Sequence, residues 1–222
     1  MLIVDSTVRD SERPEAFDIE PRSVDSPTIF ANKVKELALR AGDIHIESAR
    51  LTICPFLAGD ADDTFPCITP SLTRFMSWEP PPNRAEFDRL WQSWLPAIDD
   101  GSDFVFAIRR IVDRSFLGLV GLHDVRSRRA ELGIWIREDH HSEGFGREAV
   151  GLVARWAIRT LRIQSFTYPT AEANSPSRRI AESLGGIIVG SRITPKYNSV
   201  IYQIPNLAAN GPDRRNDGRW EN

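Results

Sequence analysis

The stretch that decides the fold is "HHSEGFGREA", residues 140–149. It follows a strand-like run, "AELGIWI", and leads into a helix-like run, "REAVGLVARWAIRTL". Gly144 and Gly146 stand at the mouth of that helix, where unpaired amides and the helix dipole favour an anion. Glycine also lets the backbone approach a pyrophosphate without obstruction by a Cβ atom. Taken alone, the turn fits a phosphate site and an unliganded strand-to-helix turn equally well.

Runs of strand and helix character around this turn predict one mixed α/β domain. The strand-like runs are residues 49–56, 103–110, 115–125, 130–136 and 163–170, followed by "GIIVGSR" and "SVIYQI". Three of these runs follow one another at short intervals, which requires an antiparallel meander because parallel strands need a longer crossover. A capping box at Asn83 and Glu86 begins a helix ahead of the meander. We therefore predict an α+β fold with a mixed, mostly antiparallel sheet of six or seven strands flanked by helices.

The bulk composition excludes several classes of function. Hydrophobic residues make up 41% and charged residues 27% of the chain, as in an ordinary globular domain. The net charge of −3 offers no footprint for nucleic acid, no apolar run could span a bilayer, and the first residues do not form a signal peptide. The two cysteines and four histidines lack metal-ligand spacing. We expect a cytoplasmic protein with no metal and no nucleic-acid or membrane partner.

The chain of 222 residues divides into three predicted segments. Residues 1–45 are polar, acidic and proline-bearing, so we predict a partly disordered extension with one short helix that starts at Ser26 and Pro27. Residues 46–206 form the predicted domain, and residues 207–222 form a polar tail.

The order of elements and motifs resembles the GNAT acetyltransferases over roughly residues 46–205. The segments "TRFMSWEPPP" (73–82) and "RRAELGIWI" resemble the branch that acetylates ribosomal-protein N-termini. "EGFGREAV" resembles the coenzyme turn of the family, and "NSPSRRIAESLGG" resembles its N-x-x-S-x-R…L-G-F segment. The resemblance implies a sheet that splays between its fourth and fifth strands, and acetyl transfer from acetyl-CoA to a primary amine.

The resemblance also implies which residues hold the coenzyme. They are the backbone at Trp135 and Ile136, the turn residues Ser142, Glu143, Gly144, Phe145, Gly146 and Arg147, and Asn174. The family has its oxyanion-binding amide near the end of this strand, where pantetheine pairs with the backbone. For Asn174, helix capping is an equal alternative.

The coenzyme turn departs from the family pattern Q/R-x-x-G-x-G/A. His141 takes the first position, and the L-G-F segment ends as Leu184-Gly185-Gly186. Glu143 adds a negative charge that costs on the order of 1 kcal/mol at ~4–6 Å from a pyrophosphate in a wet site. Arg147 can offset this charge. We predict that the turn binds coenzyme through its backbone, with a lowered affinity if Glu143 faces the anion.

Acetyl transfer to an amine needs a base for the ammonium proton and an acid for the departing thiolate. The period of two places Glu131, Gly133 and Trp135 on one face of their strand, and a glutamate in an apolar strand needs a partner or a purpose. The resemblance makes Glu131 the candidate base. An ion pair with Arg128 or Arg129 is the alternative.

Ser177 is the candidate acid near the coenzyme sulfur, as implied by the N-x-x-S match. Helix capping is its alternative role, and Tyr168 and Tyr202 are alternative hydroxyls. On the acceptor side, Trp78 supplies an aromatic wall and Glu79 attracts an ammonium group, although an ordinary surface turn also accounts for Glu79.

Two functions of different class remain. The first is an N-acetyltransferase that acts on a protein N-terminus or a small amine in a ternary complex, with a homodimer left open. The second is a catalytically silent GNAT-fold protein that binds acyl-CoA, or a partner through residues 1–45. A dinucleotide-binding enzyme is excluded because only one strand–helix–strand unit is present and the full G-x-G-x-x-G is missing.

Overall fold

The computed structural model describes residue 42 and residues 44–207. The predicted N-terminal helix and nearly all of the predicted extension and tail lie outside these residues. The strands are β1 (Ile46–Glu47), β2 (Leu51–Pro55), β3 (Phe104–Arg110), β4 (Phe116–His123), β5 (Arg129–Ile136), β6 (Ser165–Ala171), β7 (Ile187–Ile193) and β8 (Asn198–Pro205). The helices are α1 (Ala61–Thr64), α2 (Pro70–Thr73), α3 (Arg84–Gln92), α4 (Leu95–Asp100), α5 (Phe145–Leu161) and α6 (Ser175–Ser183).

All eight strands belong to one sheet in the order β1-β2-β3-β4-β5-β6-β8-β7. Neighbouring strands are antiparallel except β5 and β6, which are parallel and joined through α5. The predicted mixed, mostly antiparallel sheet is confirmed, including the meander β3-β4-β5. The eighth strand is the two-residue β1, which is too short to produce a recognisable alternation in the sequence.

The parallel pair is short, and the sheet opens beyond it. Only residues 129–131 of β5 pair with residues 165–167 of β6. Beyond this point β5 continues to Ile136 and β6 continues to Ala171, with no further pairing between the described strands. The result is the predicted splay, with a gap at the carboxyl ends of both strands.

Helices cover the two faces of the sheet. The buried stripe of α5 includes Val150, Val153 and Ala157, and Trp156 packs edge-on against Phe104 on β3 with ring centroids 5.6 Å apart. On the opposite face, aromatic residues of α3 and of the α3–α4 junction pack around Phe56. The two faces of the sheet, from which the gap between β5 and β6 is reached, are therefore covered by different helices.

The predicted helix start at Asn83 is present. The Asn83 side chain accepts a hydrogen bond from the Glu86 amide at 2.9 Å, which caps α3. The Glu86 carboxylate does not complete the predicted box but accepts from Arg89 at 3.0 Å. The helix ends at Gln92, and a separate helix, α4, begins at Leu95.

Candidate active site

The glycine turn presents a row of backbone donors. Ser142 (φ 68°) and Gly144 (φ 81°) both adopt the left-handed conformation, and Gly144 caps the seventeen-residue helix α5. Within the described part of the chain, no acceptor pairs with the backbone N–H groups of residues 142–147. Consecutive unpaired amides at a helix N-terminus form an anion site. The predicted turn therefore has the geometry of a phosphate cradle.

The side chains of the turn point to different surroundings. Phe145 is buried in the core, so only its backbone faces outward, whereas Ser142 and Arg147 are exposed. A Cβ atom on Gly146 would lie 3.2 Å from Cδ1 of Ile180, which shows that α6 packs directly against the turn. The structure thus brings the predicted coenzyme residues of the turn and the helix behind Asn174 together.

The Glu143 carboxylate is held by a neighbour on the same turn. Nδ1 of His140 donates to Oε1 of Glu143 at 2.8 Å. The Glu143 carbonyl oxygen accepts from the Arg50 guanidinium at 3.2 Å. The residue that the sequence marks as an electrostatic obstacle is therefore paired within the turn.

Arg50 and Glu148 form an ion pair beside the turn. Nε of Arg50 donates to the Glu148 carboxylate at 2.8 Å, and Ser48 Oγ donates to the same carboxylate at 2.7 Å. The guanidinium lies 4.7 Å from the centroid of the Phe145 ring. Burial opposes ionisation of Glu148, but the hydrogen bonds from Ser48 and Arg50 lower the pKa of this carboxyl overall. No sequence pattern indicated this ion pair, because Arg50 and Glu148 lie 98 residues apart along the chain.

The departure at His141 has a visible structural role. Its Nε2 donates to the carbonyl oxygen of Ile136 at 2.7 Å. This bond ties the turn to the end of β5, at the open side of the splay.

The hydrogen-bond pattern of the sheet distinguishes the two predicted backbone amides. The Arg137 amide donates to Leu117 on β4 at 2.8 Å. Because directions alternate along an antiparallel ladder, the Trp135 amide also faces β4, opposite Leu119. The amides of Ile134 and Ile136 face the gap between β5 and β6. Of the two predicted amides, only that of Ile136 faces the gap, and Ile134 joins it as a residue that the sequence analysis missed.

Glu131 lies at the last paired position before the splay, opposite Thr167 on β6 and opposite His123 on β4. Burial raises the pKa of Glu131, and the nearby charges of His123 and Arg192 act in the lowering direction. Burial is therefore the main reason that the pKa of the Glu131 carboxyl is raised.

His123 is itself buried beside Asp103, whose Oδ1 lies 3.5 Å from its Nδ1. Its Nε2 atom has no hydrogen-bond partner in the described part of the chain. No sequence pattern marked His123 as a functional residue, because its position opposite Glu131 depends on strand register.

Ser177 and Tyr168 form a pair of hydroxyls 2.9 Å apart. Burial raises the pKa of Tyr168 to about 12, so this phenol stays protonated across the working pH range. The Asn174 side chain accepts from the Ser177 amide at 3.3 Å, which is the capping geometry. Tyr202 lies in a different network, where it accepts from Arg178 at 3.0 Å and donates to a glutamate of α6.

Lys196, in the connection between β7 and β8, contacts the predicted acceptor loop around Trp78 and Glu79. Its Nζ donates to the carbonyl oxygens of Thr73 and Trp78 at 3.0 and 3.1 Å and pairs with the Glu79 carboxylate at 2.8 Å. The Glu79 charge is therefore already paired. Sequence patterns missed Lys196, because its partners lie more than 110 residues away along the chain.

The family profile described as "Acetyltransferase (GNAT) domain" matches residues 50–187. The match covers more than half of the chain, so the protein belongs to the GNAT acetyltransferase family, and its acetyl donor is acetyl-CoA. No curated protein matches the chain in sequence.

Solved structures share the fold at low sequence identity. The ribosomal-protein-S5-alanine acetyltransferase of Vibrio fischeri aligns with a TM-score of 0.63 and 16% identity, covering 74% of this chain and 97% of that one. RimJ of Mycobacterium smegmatis, in complex with CoA-disulfide, aligns with a TM-score of 0.64 and 15% identity over 72% and 84%. Spermidine N-acetyltransferase of Vibrio cholerae, in complex with CoA and spermine, aligns with 0.61 and 21% over 70% and 95%.

Two further findings concern the described residues only. No group of three or more His, Cys, Asp or Glu side chains among them is arranged to hold a metal ion. None of the helices described is both long and apolar enough to cross a membrane.

Proposed function

We propose that the protein is an N-acetyltransferase that transfers the acetyl group of acetyl-CoA directly to a primary amine, on a protein N-terminus or a small amine, in the cytoplasm. The observation that carries this proposal is the position of Glu131. It lies where β5 and β6 part, and burial raises its pKa toward the range in which a carboxylate serves as base. Free thiols at Cys54 and Cys67 suit a reducing compartment.

The coenzyme is assigned to the open side of the splay. The amides of residues 142–147 receive the pyrophosphate, with Arg147 exposed at the rim. Pantetheine lies in the gap as an additional strand and pairs with the outward amides of Ile134 and Ile136. Asn174 keeps its capping bond and contacts the coenzyme through its remaining amide donors.

The reaction follows from these positions. Glu131 removes one proton from the ammonium group, directly or through water, and the amine nitrogen attacks the thioester carbonyl carbon. The carbonyl oxygen gains the negative charge and is stabilised by the Ile136 amide. The carbon–sulfur bond then breaks, and the departing thiolate takes the proton of Ser177, whose hydroxyl lies 2.9 Å from the Tyr168 hydroxyl. The second proton of the attacking nitrogen returns to Ser177, directly or through water. The products are the neutral amide and the CoA thiol, and the proton taken by Glu131 passes to water.

A silent GNAT-fold protein is the second candidate, and the departures at the coenzyme turn are what favour it. The turn nevertheless accommodates both of them: His141 binds the end of β5 and Glu143 binds His140. Structural relatives named for ribosomal-protein and spermidine acetylation support both acceptor classes of the first candidate.

Calorimetric titration with acetyl-CoA, with CoA and NADH as controls, tests the coenzyme site. Release of CoA thiol with peptide and small-amine acceptors then tests turnover. Micromolar acetyl-CoA binding together with amine-dependent thiol release would support the enzyme. Binding without turnover of any amine would favour the silent protein, and no binding at millimolar acetyl-CoA would refute the assignment of the turn.

A further inference from the structure

A row of polar residues crosses four neighbouring strands at the closed end of the splay. His123 on β4 lies opposite Glu131 on β5, and Glu131 lies opposite Thr167 on β6. Asp103 directly precedes β3, and the register of β3 with β4, extended by one residue, places it beside His123. Residues that lie opposite one another on neighbouring strands share a face of the sheet, so these side chains form one continuous row.

His123 connects the proposed base with an acidic residue that reaches solvent. Its side chain is buried, and its Nδ1 lies 3.5 Å from Oδ1 of Asp103, whose side chain is 38% exposed. Burial opposes ionisation of Asp103, but its interactions with His123 and with the Asp124 amide lower the pKa of this carboxyl overall. An ionised carboxylate only accepts hydrogen bonds, so the neutral His123 ring carries its hydrogen on Nδ1.

The second ring nitrogen of His123 is free to take a proton. Nε2 is buried and has no hydrogen-bond partner in the described part of the chain. The two ring nitrogens lie on opposite sides of the axis that runs from Cγ through the ring. An Nδ1 directed to Asp103, on the β3 side, therefore leaves Nε2 on the β5 side, where Glu131 lies. With the hydrogen on Nδ1, Nε2 presents a lone pair toward this side.

Glu131 must release the proton that it takes from the ammonium group before the next acceptor can react. We propose that His123 and Asp103 form a relay for this proton. The O–H bond of protonated Glu131 breaks and an N–H bond forms at Nε2 of His123, directly or through water, while Asp103 binds the Nδ1–H group of the resulting imidazolium. The proton leaves Nε2 for water once the product has left the gap, so all three side chains return to their starting state.

This inference rests on the proposed acetyltransferase function and adds a step to it. His123 and Asp103 do not contact the acceptor in this step; they act through Glu131. The relay also gives a reason for a buried histidine with one unpaired nitrogen, since leaving such a group unpaired costs about 1–3 kcal/mol. The alternative is a structural imidazole that packs beside Asp103 and takes no proton.

Kinetics with an added base test the relay. The acceptor is the better of an alanine-initiated peptide and spermidine, and the acetylated product is measured directly, because imidazole can itself take an acetyl group. In His123→Ala we expect kcat to fall about tenfold or more, with KM for the acceptor changed less than about twofold. Added imidazole replaces the missing ring and should raise kcat of this variant severalfold, whereas the wild type should not respond.

Two further variants serve as a comparison and a control. Asp103→Asn should lower kcat about as far as His123→Ala but without a response to imidazole, because the His123 ring still fills its place. His45→Ala is the matched control, since His45 is an exposed histidine that pairs with Glu47 near β1; its kcat should stay at the wild-type value. Far-ultraviolet circular dichroism verifies that each variant is folded.

Two kinetic results overturn the relay. One is a kcat in His123→Ala within about twofold of the wild-type value, since proton transfer by a side chain contributes far more. The other is a lower kcat in folded His123→Ala that imidazole does not raise, because this result assigns His123 the structural role.

Nitrogen NMR of the imidazole rings separates failure of the relay from failure of the enzyme, because it needs no acceptor. The chain has four histidines, so the labelled full-length protein gives few ring signals, and His123→Gln identifies those of His123. We expect the neutral ring to carry its hydrogen on Nδ1 in the wild type and on Nε2 in Asp103→Asn. A hydrogen on Nε2 in the wild type overturns the relay even if amines are acetylated. A hydrogen on Nδ1 in a wild type that acetylates no amine overturns the proposed function and the relay together, while the pairing of His123 with Asp103 stands.

Discussion

Nδ1 of His140 lies 2.8 Å from Oε1 of Glu143, within the turn that opens α5. This pair explains how a carboxylate can stand beside a proposed pyrophosphate site. The charge is directed to a neighbouring imidazole, while the backbone amides of the same turn stay unpaired in the described residues. The side chain and the backbone of one short segment thus serve different purposes.

The pairing predicts a nonadditive effect on coenzyme affinity. His140→Ala releases the Glu143 carboxylate, so we expect acetyl-CoA to bind about fivefold more weakly, which corresponds to about 1 kcal/mol of repulsion. Glu143→Gln alone changes the affinity by less than about twofold, and the double variant recovers most of the wild-type value. Calorimetry on the four proteins measures the cycle. Equal weakening in the single His140 variant and the double variant would show that the Glu143 charge does not matter.

Gly144→Val tests the backbone of the turn. The φ of +81° places this residue in the left-handed region, where a β-branched side chain is strongly strained, although a Cβ would find only the Arg50 guanidinium, 3.7 Å away. We expect the turn to shift and the acetyl-CoA dissociation constant to rise at least about tenfold. Gly59→Val is the control, since nothing lies within 4 Å of its added Cβ. Unchanged affinity in Gly144→Val would refute the cradle.

Glu131→Gln tests the base and has opposite effects on activity and stability. We expect kcat to fall about 100-fold or more, with unchanged acetyl-CoA affinity. Burial raises the folded-state pKa of Glu131, so the stability that it contributes is present at low pH and is lost as pH rises through that pKa. The glutamine variant should therefore be more stable than the wild type at pH 7, and this difference should shrink toward about pH 4. Thermal melts across pH measure it.

His123→Gln adds a directional test of the same carboxyl. The His123 charge acts to lower the pKa of Glu131, so its removal should move the acidic limb of the kcat/KM profile to higher pH. Asp124→Asn is a useful comparison, because the Asp124 charge acts in the opposite direction. If the acidic limb has the same midpoint pH in both variants as in the wild type, Glu131 is not the group that accepts the proton in the rate-determining step.

Lys196→Met tests the acceptor loop. The ammonium holds two backbone carbonyls and is only a quarter exposed, whereas Glu79 is largely exposed. We expect KM for the acceptor to rise about tenfold or more, because each charge-assisted hydrogen bond makes a net contribution of about 1.5–3 kcal/mol to the position of the loop. Glu79→Gln should change KM little, since exposed ion pairs contribute little. Steady-state kinetics at saturating acetyl-CoA measures KM for the acceptor in both variants. Equal changes of KM in Lys196→Met and Glu79→Gln would contradict the role given to Lys196.

Much of the fold could be predicted because its signals are local. The alternation in β3, β4 and β5, the stripe of α5 and the cap at Asn83 each lie within one segment of chain. The two-residue β1 and the break at Ser93 carry too little pattern to be recognised. The splay was implied by the family resemblance, and the three-residue pairing of β5 with β6 confirms it.

The candidate site divides in the same way. Residues 142–147 could be proposed as a coenzyme turn because a strand, two glycines and a helix are contiguous in the sequence. Arg50 and Glu148 were missed because they meet across 98 residues, and the position of His123 opposite Glu131 depends on strand register. The direction of an amide, as for Trp135 and Ile136, also depends on which neighbouring strand each residue pairs with.

By itself the sequence determined the order of the elements and the family and marked the proposed coenzyme turn, since these depend on periodicity and short motifs within single stretches of chain. The tertiary structure alone decided which charges are paired and which amides face the gap between β5 and β6. These relations require strands to be in register and distant segments to pack, and the free energy of such contacts depends on burial and distance. A local pattern contains neither quantity.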